Sequence, residues 1–184
     1  PLAYAVQGDV ARVQLYGPGE ARLSHPAAGT LVLRQHTGYP FEGDISLEVQ
    51  PERDASFELR LRIPSWAEGA SVAVNGEAVR GPVVPGTFVS VRRHWRAGDQ
   101  VQLLFPLRPA LHRQVLRNVQ ESRAPDGSEV RQQVLDLHYV GLTRGPLVYA
   151  TELVDGFKTE ETVRLPDGPQ DDWLQVLPVA DDGE

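Results

Sequence analysis

Glu42 and Asp44 are two carboxylates two residues apart, a spacing that brings both to one side of an extended segment. Such a pair can exchange protons in acid–base catalysis or join a calcium site. Calcium, however, needs several more oxygen ligands, and the surrounding sequence identifies none; a solvated surface pair is the simpler reading. The five histidines, His25, His36, His94, His112 and His138, show no i, i+4 or short-gap spacing suited to a metal. Ser24-His25 and Ser65 lack the glycine-flanked elbow that presents a serine nucleophile. Cysteine is absent, which excludes a thiolate zinc site, a cysteine nucleophile and a disulfide within the chain. Four aromatics remain as candidates for contact with a carbohydrate or with another domain: Trp66, Trp95, Tyr39 and Phe41. Each tryptophan stands where a strand meets a turn, where an indole commonly closes the end of a core with its N–H on a backbone carbonyl. Tyr39 and Phe41 share a loop, Tyr-Pro-Phe-Glu-Gly43, and packing is favoured for them too. No residue is assigned a catalytic, cofactor-binding or metal-binding role.

The elements that must position these side chains are strands. Phe57, Leu59, Leu61 and Ile63 alternate with Glu58, Arg60 and Arg62 until Pro64, which offers no amide to a ladder. Ser71–Val74 runs into Asn75-Gly76, the residue pair suited to a type I′ hairpin turn, with Glu77–Val79 as the return. Thr87–Val91 and Gln100–Phe105 follow, separated by Ala97-Gly-Asp99 and closed by Pro106. Upstream, Ala11–Tyr16, Thr30–Leu33 and Ile45–Val49 read as strands; downstream, so do Val134–Val140 and Pro146–Leu153. Between Leu111 and Val134 lies a polar excursion centred on Ala124–Ser128, whose Asp126-Gly127 pair would make a hairpin tip projecting from the sheet, and Trp173–Pro178 reads as a last short strand. No helical stripe longer than about ten residues competes with this pattern. The predicted fold is all-β: an antiparallel, jelly-roll-like β-sandwich, with Pro106 as the boundary between a sandwich at 1–106 and a smaller β domain with an acidic tail at 107–184. One continuous sandwich over 1–155 plus a tail is the alternative.

Composition bounds the partners. With 41% hydrophobic residues, 17 Gly and 15 Pro, the chain reads as a soluble, turn-rich globular protein. From Glu152 onward ten acids face only Lys158 and Arg164, so the net charge of −7 resides mostly in the tail. Neither half has the concentrated basic face of a nucleic-acid binder. The local cluster Arg92, Arg93, Arg96, Arg108, Arg113 and Arg117 is divided between faces by strand alternation, which favours a solvated surface over an anion site. No apolar stretch approaches the roughly 20 residues that span a bilayer, and no membrane partner is expected. Zero Met with Pro1 at the start suggests a piece of a longer polypeptide; the compartment, cytoplasm or periplasm, stays open.

Taken in order, Val13-Gln-Leu-Tyr16, Thr37-Gly-Tyr-Pro-Phe-Glu-Gly43, Arg62-Ile-Pro-Ser-Trp66, Val74-Asn-Gly76, Trp95-Arg-Ala-Gly-Asp99, Phe105-Pro106 and Arg144-Gly-Pro-Leu-Val-Tyr149 form a series. It resembles the C-terminal β-sandwich region of glycoside hydrolase family 127, the β-L-arabinofuranosidase type known as DUF1680, over about residues 4–155. Gln14 replaces the family's usual Asn. The resemblance implies a parent enzyme whose (α/α)6 barrel carries a cysteine nucleophile, a glutamate acid/base and a zinc ion held mainly by thiolates. With no Cys here, none of those residues transfers, and no cofactor is expected in this chain. It implies a non-catalytic accessory region whose partner is its own catalytic barrel, with a homodimer as a further expectation. The alternative is an autonomous carbohydrate-binding module whose partner is an arabinose-containing glycan.

Overall fold

The computed structural model describes residues 3–120, 123–128, 133–149 and 165–177. Two compact units divide the chain: Pro1–Arg108 with Gly145–Leu147, and Pro109–Arg144 with Val148–Glu184.

The first unit is a β-sandwich. Its strands are β1 (Tyr4–Gln7), β2 (Val10–Val13), β3 (Gly19–His25), β4 (Gly29–Thr37), β5 (Asp44–Pro51), β6 (Ala55–Arg62), β7 (Ser71–Val74), β8 (Glu77–Ala78), β9 (Phe88–Trp95) and β10 (Asp99–Leu104). A four-stranded sheet runs β1-β2-β6-β9 and a six-stranded one β3-β4-β5-β10-β7-β8. Period-two alternation explains how they pack. Ala11, Val13, Phe57, Leu59, Leu61, Val89 and Trp95 of the first sheet are buried, as are Leu31, Leu33, Ile45, Leu47, Val49, Val72, Val74, Val101 and Leu103 of the second. These inward faces form one core. Each fully buried Leu or Val there contributes on the order of 1.5–3 kcal/mol through apolar surface withdrawn from water.

The β2–β6 pair is parallel, Val10 beside Glu58 and Val13 beside Leu61, whereas the sandwich's other pairings and β11–β12 are antiparallel. Local sequence carries no sign of it, because the two strands are far apart in the chain. β1 and β3 also go unsignalled, the latter because Gly17-Pro-Gly19 and His25-Pro26 mask a short strand whose inward residues at 21 and 23 are only half-buried.

A separate three-stranded sheet, almost all of it in the second unit, comprises β11 (Pro109–Gln120), β12 (Gln133–Arg144) and β13 (Leu147–Tyr149), in the order β11-β12-β13. The polar excursion expected from Leu111 is a long antiparallel hairpin with its turn at Asp126-Gly127, as the Asp-Gly pair suggested, but its first arm is a regular strand: β11 pairs with β12 in unbroken register from Pro109 opposite Arg144 to Gln120 opposite Gln133. From His112 to Arg117 its residues are exposed on both faces, so no apolar alternation announces it. The expected strand at Trp173–Pro178 is likewise corrected. A short 3₁₀ helix occupies Gln170–Asp172, and Trp173–Leu177 is irregular. The Gln170 side chain holds this segment, donating through Nε2 to Pro109 O at 2.9 Å and accepting Leu111 N–H at 3.3 Å. Residues 150–153 of the strand expected from Pro146, Pro178, and most of the acidic tail lie outside the described residues.

Candidate functional site

The motif series, scattered along the chain, gathers at the two ends of the sandwich. At one end Tyr16, Tyr39, Trp66 and Phe105 form an aromatic cluster. The Tyr39 ring stacks on Trp66 at 6.5 Å and 13°. Phe105 meets Tyr16, Trp66 and Tyr39 edge-on at 5.3, 5.9 and 6.4 Å, arrangements favoured by the ring quadrupole. Tyr16 donates its hydroxyl to Arg62 O at 2.8 Å. Burial drives its phenol pKa far up, with the Arg62 charge opposing.

Gly43 accepts the Phe105 amide at 2.9 Å on its carbonyl. A Cβ there would run into the Phe105 carbonyl oxygen, so glycine is needed for this backbone approach. Gly145 is at φ +59, and a Cβ would meet Leu107 and, at 3.3 Å, the Trp66 ring. The loop carrying Tyr39 is pinned by Thr37, whose hydroxyl accepts the Tyr39 amide at 3.0 Å and donates to Asp44 O. Five of the seven motifs thus meet here.

At the opposite end Trp95 is fully buried, stacked on Phe57 at 5.8 Å, and donates its indole N–H to Phe57 O at 3.2 Å. Arg93 lies 5.3 Å from the Trp95 ring centroid. Asp99 accepts Asn75 Nδ2–H at 2.8 Å and the Arg96 amide at 2.9 Å, while Asn75 Oδ1 accepts the Gln100 amide at 2.8 Å. Val-Asn-Gly and Trp-x-x-Gly-Asp therefore interlock.

Trp95 has no face to offer a sugar in this arrangement. Tyr39 and Trp66 are half-buried, and Phe41 is 68% exposed. Glu42 and Asp44 are both exposed. The histidines are dispersed. His25 is buried beside Phe57, its Nδ1 accepting the amides of Ala27 and Ala28, both at 3.3 Å. His94 reaches Ser56 at 3.3 Å and His112 reaches Thr143 at 2.9 Å. Among the described residues no three His, Asp or Glu side chains are placed to hold a metal ion. The chain has no Cys, so it supplies none of the thiolates that the resemblance implies for the barrel's zinc.

An open pocket of about 320 Å³ is lined by Tyr4, Tyr16, Glu20 and Gln35. Its polar groups are largely engaged: Gln35 donates to Tyr4 OH and to Leu15 O, and Glu20 pairs with Arg22 and Arg34, both at 2.9 Å. Tyr16 and Phe105 belong to the motif series but not to the four aromatics expected to make contacts. Their signal was being aromatic at strand ends, visible only once the motifs converge.

Such a unit is a β-sandwich whose distinctive residues serve its strand ends and turns. Residues 10–107 match the model of the β-L-arabinofuranosidase GH127 middle domain, and the chain belongs to glycoside hydrolase family 127. The matching domain is the middle one rather than a C-terminal one. The chain is similar to a non-reducing end β-L-arabinofuranosidase of Bifidobacterium longum subsp. longum, 31% identical over 145 residues, which covers 77% of this chain and 20% of the relative. A crystal structure of a GH127 β-L-arabinofuranosidase from Geobacillus stearothermophilus T6 matches with TM-score 0.57 and 31% identity, covering 79% of this chain and 21% of that one. A GH127 β-arabinofuranosidase at 21% identity and TM-score 0.53, covering 77% of this chain and 33% of its own, shares the fold. The chain thus spans about a fifth of the length of its first two relatives.

Proposed function

We propose that this chain is a non-catalytic accessory β-sandwich region of a family-127 glycoside hydrolase of the β-L-arabinofuranosidase type, supporting an (α/α)6 catalytic barrel elsewhere in the parent polypeptide. The observation that carries this reading is the use of the motif residues. Tyr39, Gly43, Trp66, Phe105 and Gly145 pack on one another, and Asn75 and Asp99 latch two turns, so the residues that mark the family build a scaffold. In this reading residues 1–106 form the middle domain and 107–184 a smaller β domain that follows it towards the C-terminus. Nucleophile, acid/base and zinc belong to the barrel, which is the principal partner. A homodimer is a further expectation; nucleic acid and membrane are not.

The second reading, a carbohydrate-binding module for arabinose-containing glycans, draws on the exposed Phe41 ring, carried on the same loop as the Tyr39 that stacks on Trp66. The purified chain should not turn over a nitrophenyl β-L-arabinofuranoside, and it should bind a separately expressed barrel and raise that barrel's activity or thermal stability. Turnover by the chain alone, or a barrel indifferent to it, rejects the accessory role. Saturable binding of arabino-oligosaccharides that Phe41→Ala and Trp66→Ala abolish without unfolding would transfer support to the second reading.

A further inference from the structure

The outward face of the four-stranded sheet is positively charged in a chain of net charge −7. Because Ala11, Val13, Phe57, Leu59, Leu61, Val89 and Trp95 point into the core, alternation sets Arg12, Glu58, Arg60, Arg62, Phe88 and Arg92 on the outer face. The parallel β2–β6 register places Arg12 directly beside Arg60. Like charges facing each other across a ladder are destabilising. Glu58 binds Arg60 at 2.6 Å and Arg92 at 3.4 Å, and Asp9 binds Arg92 at 2.9 Å. Four arginines therefore meet two carboxylates, and among the described residues neither Arg12 nor Arg62 forms a salt bridge. Phe88, 42% exposed, is the cross-strand partner of Arg62. The outer face of the six-stranded sheet differs, since there Arg22 and Arg34 are matched by Glu20 and Glu48.

We infer that this face binds a carboxylate-bearing glycan, an extended chain containing uronic acid units, with Arg12 and Arg62 receiving carboxylates and the Phe88 ring lying against a sugar's C–H face. A guanidinium presents a planar fork that a carboxylate fits with two parallel hydrogen bonds. A broad sheet face suits an extended polymer, whereas a small ligand needs a concave pocket. A nucleic acid, with a phosphate at every nucleotide, calls for a concentrated basic face, whereas here Glu58 and Asp9 already engage Arg60 and Arg92 and leave two arginines for sparse carboxylates. The sugar part of the inference rests on the family-127 reading; the anionic part rests on the arginines alone.

The test is isothermal titration of the chain with oligogalacturonides, with neutral arabino-oligosaccharides and with poly-glutamate, at about 20 and about 150 mM salt. Oligogalacturonide binding is expected, weaker by about tenfold in Arg12→Gln/Arg62→Gln, reduced in Phe88→Ala, and unchanged in Arg22→Gln on the opposite sheet. Circular dichroism confirms that each variant is folded. Absence of binding overturns the inference, as does equal loss in Arg22→Gln or equal affinity for the neutral sugar. Poly-glutamate binding as tightly would make the face a dock for an acidic protein segment and also overturn it. Barrel association, measured separately, would still report on the accessory role, so the two readings fail independently.

Discussion

Asn75 and Asp99, twenty-four residues apart, are joined by a 2.8 Å hydrogen bond from Asn75 Nδ2 to Asp99 Oδ1. Asn75 sits at φ 51 and Gly76 at φ 84, the left-handed pair that a type I′ turn needs. Both atoms of the Asn75 amide are used, since its Oδ1 takes the Gln100 amide. The other Asp99 oxygen takes the Arg96 amide, closing the turn that leads into β10. One side-chain pair therefore sets the β7–β8 hairpin against the β9–β10 turn.

Removing Asn75 deprives the buried Asp99 carboxylate of a donor, and removing Asp99 deprives both the exposed Asn75 amide and the Arg96 amide of their acceptor. Asn75→Ala and Asp99→Ala should each cost about 1–3 kcal/mol in urea unfolding, and a double-mutant cycle should return a coupling of about 0.5–3 kcal/mol. Burial alone would raise the Asp99 carboxyl, but hydrogen bonds from Asn75 and the Arg96 amide, with the charges of Arg93 and Arg96, outweigh it and hold the group below the ordinary carboxylate range. A carboxyl depressed on folding contributes stability that is full above its unfolded value, about 3.9, and is lost as pH falls through the folded one. Asp99→Ala should therefore fall less steeply in stability than the native chain between about pH 5 and about pH 2. Parallel acid titrations of the two would sink the idea.

How much of this was legible in the sequence depended on burial. β6 announced itself because Phe57, Leu59 and Leu61 are wholly buried while Glu58 and Arg60 face outward. The turn at Asn75-Gly76 was legible because few residue pairs tolerate two positive φ values. β11 was not legible, since a strand exposed on both faces has no reason to alternate. The parallel pairing of β2 with β6 and the cluster of Tyr16 with Phe105 depend on contacts between distant segments, for which no local pattern exists. The motifs named the family; only their convergence explained why those residue types are required.

The Gly43–Phe105 approach gives a sharp steric test. Gly43→Ala places a methyl against the Phe105 carbonyl and must break the 2.9 Å Phe105 N–H to Gly43 O bond or shift the backbone. The expected cost exceeds the roughly 1 kcal/mol gain that an alanine brings at an unstrained site, so the melting temperature should fall. Gly76→Ala is the comparison: unlike Gly43 it sits at positive φ, but nothing lies within 4 Å of the added methyl. It should lose only the turn preference, about 1 kcal/mol. Equal losses for the two variants would mean that the crowding at Gly43 is relieved by a small movement.

Tyr16 offers the opposite pH limb. Its phenol is raised chiefly by burial, with Arg62 lowering it and Tyr39 raising it, so the folded state holds the proton more tightly than the unfolded chain, in which tyrosine titrates near 10. A group raised on folding contributes stability that is complete below the unfolded pKa and is lost as pH rises. Of the five tyrosines, Tyr16 should therefore ionise only as the sandwich unfolds, its tyrosinate absorbance appearing together with loss of the circular dichroism signal. Tyr16→Phe forfeits the 2.8 Å bond to Arg62 O and about 1 kcal/mol at neutral pH. In return it should remove this tyrosine's share of the alkaline loss, so its stability declines more gently above about pH 10. If all five phenols titrate reversibly near 10 with the fold intact, Tyr16 is not the closed, protonated centre of the aromatic cluster.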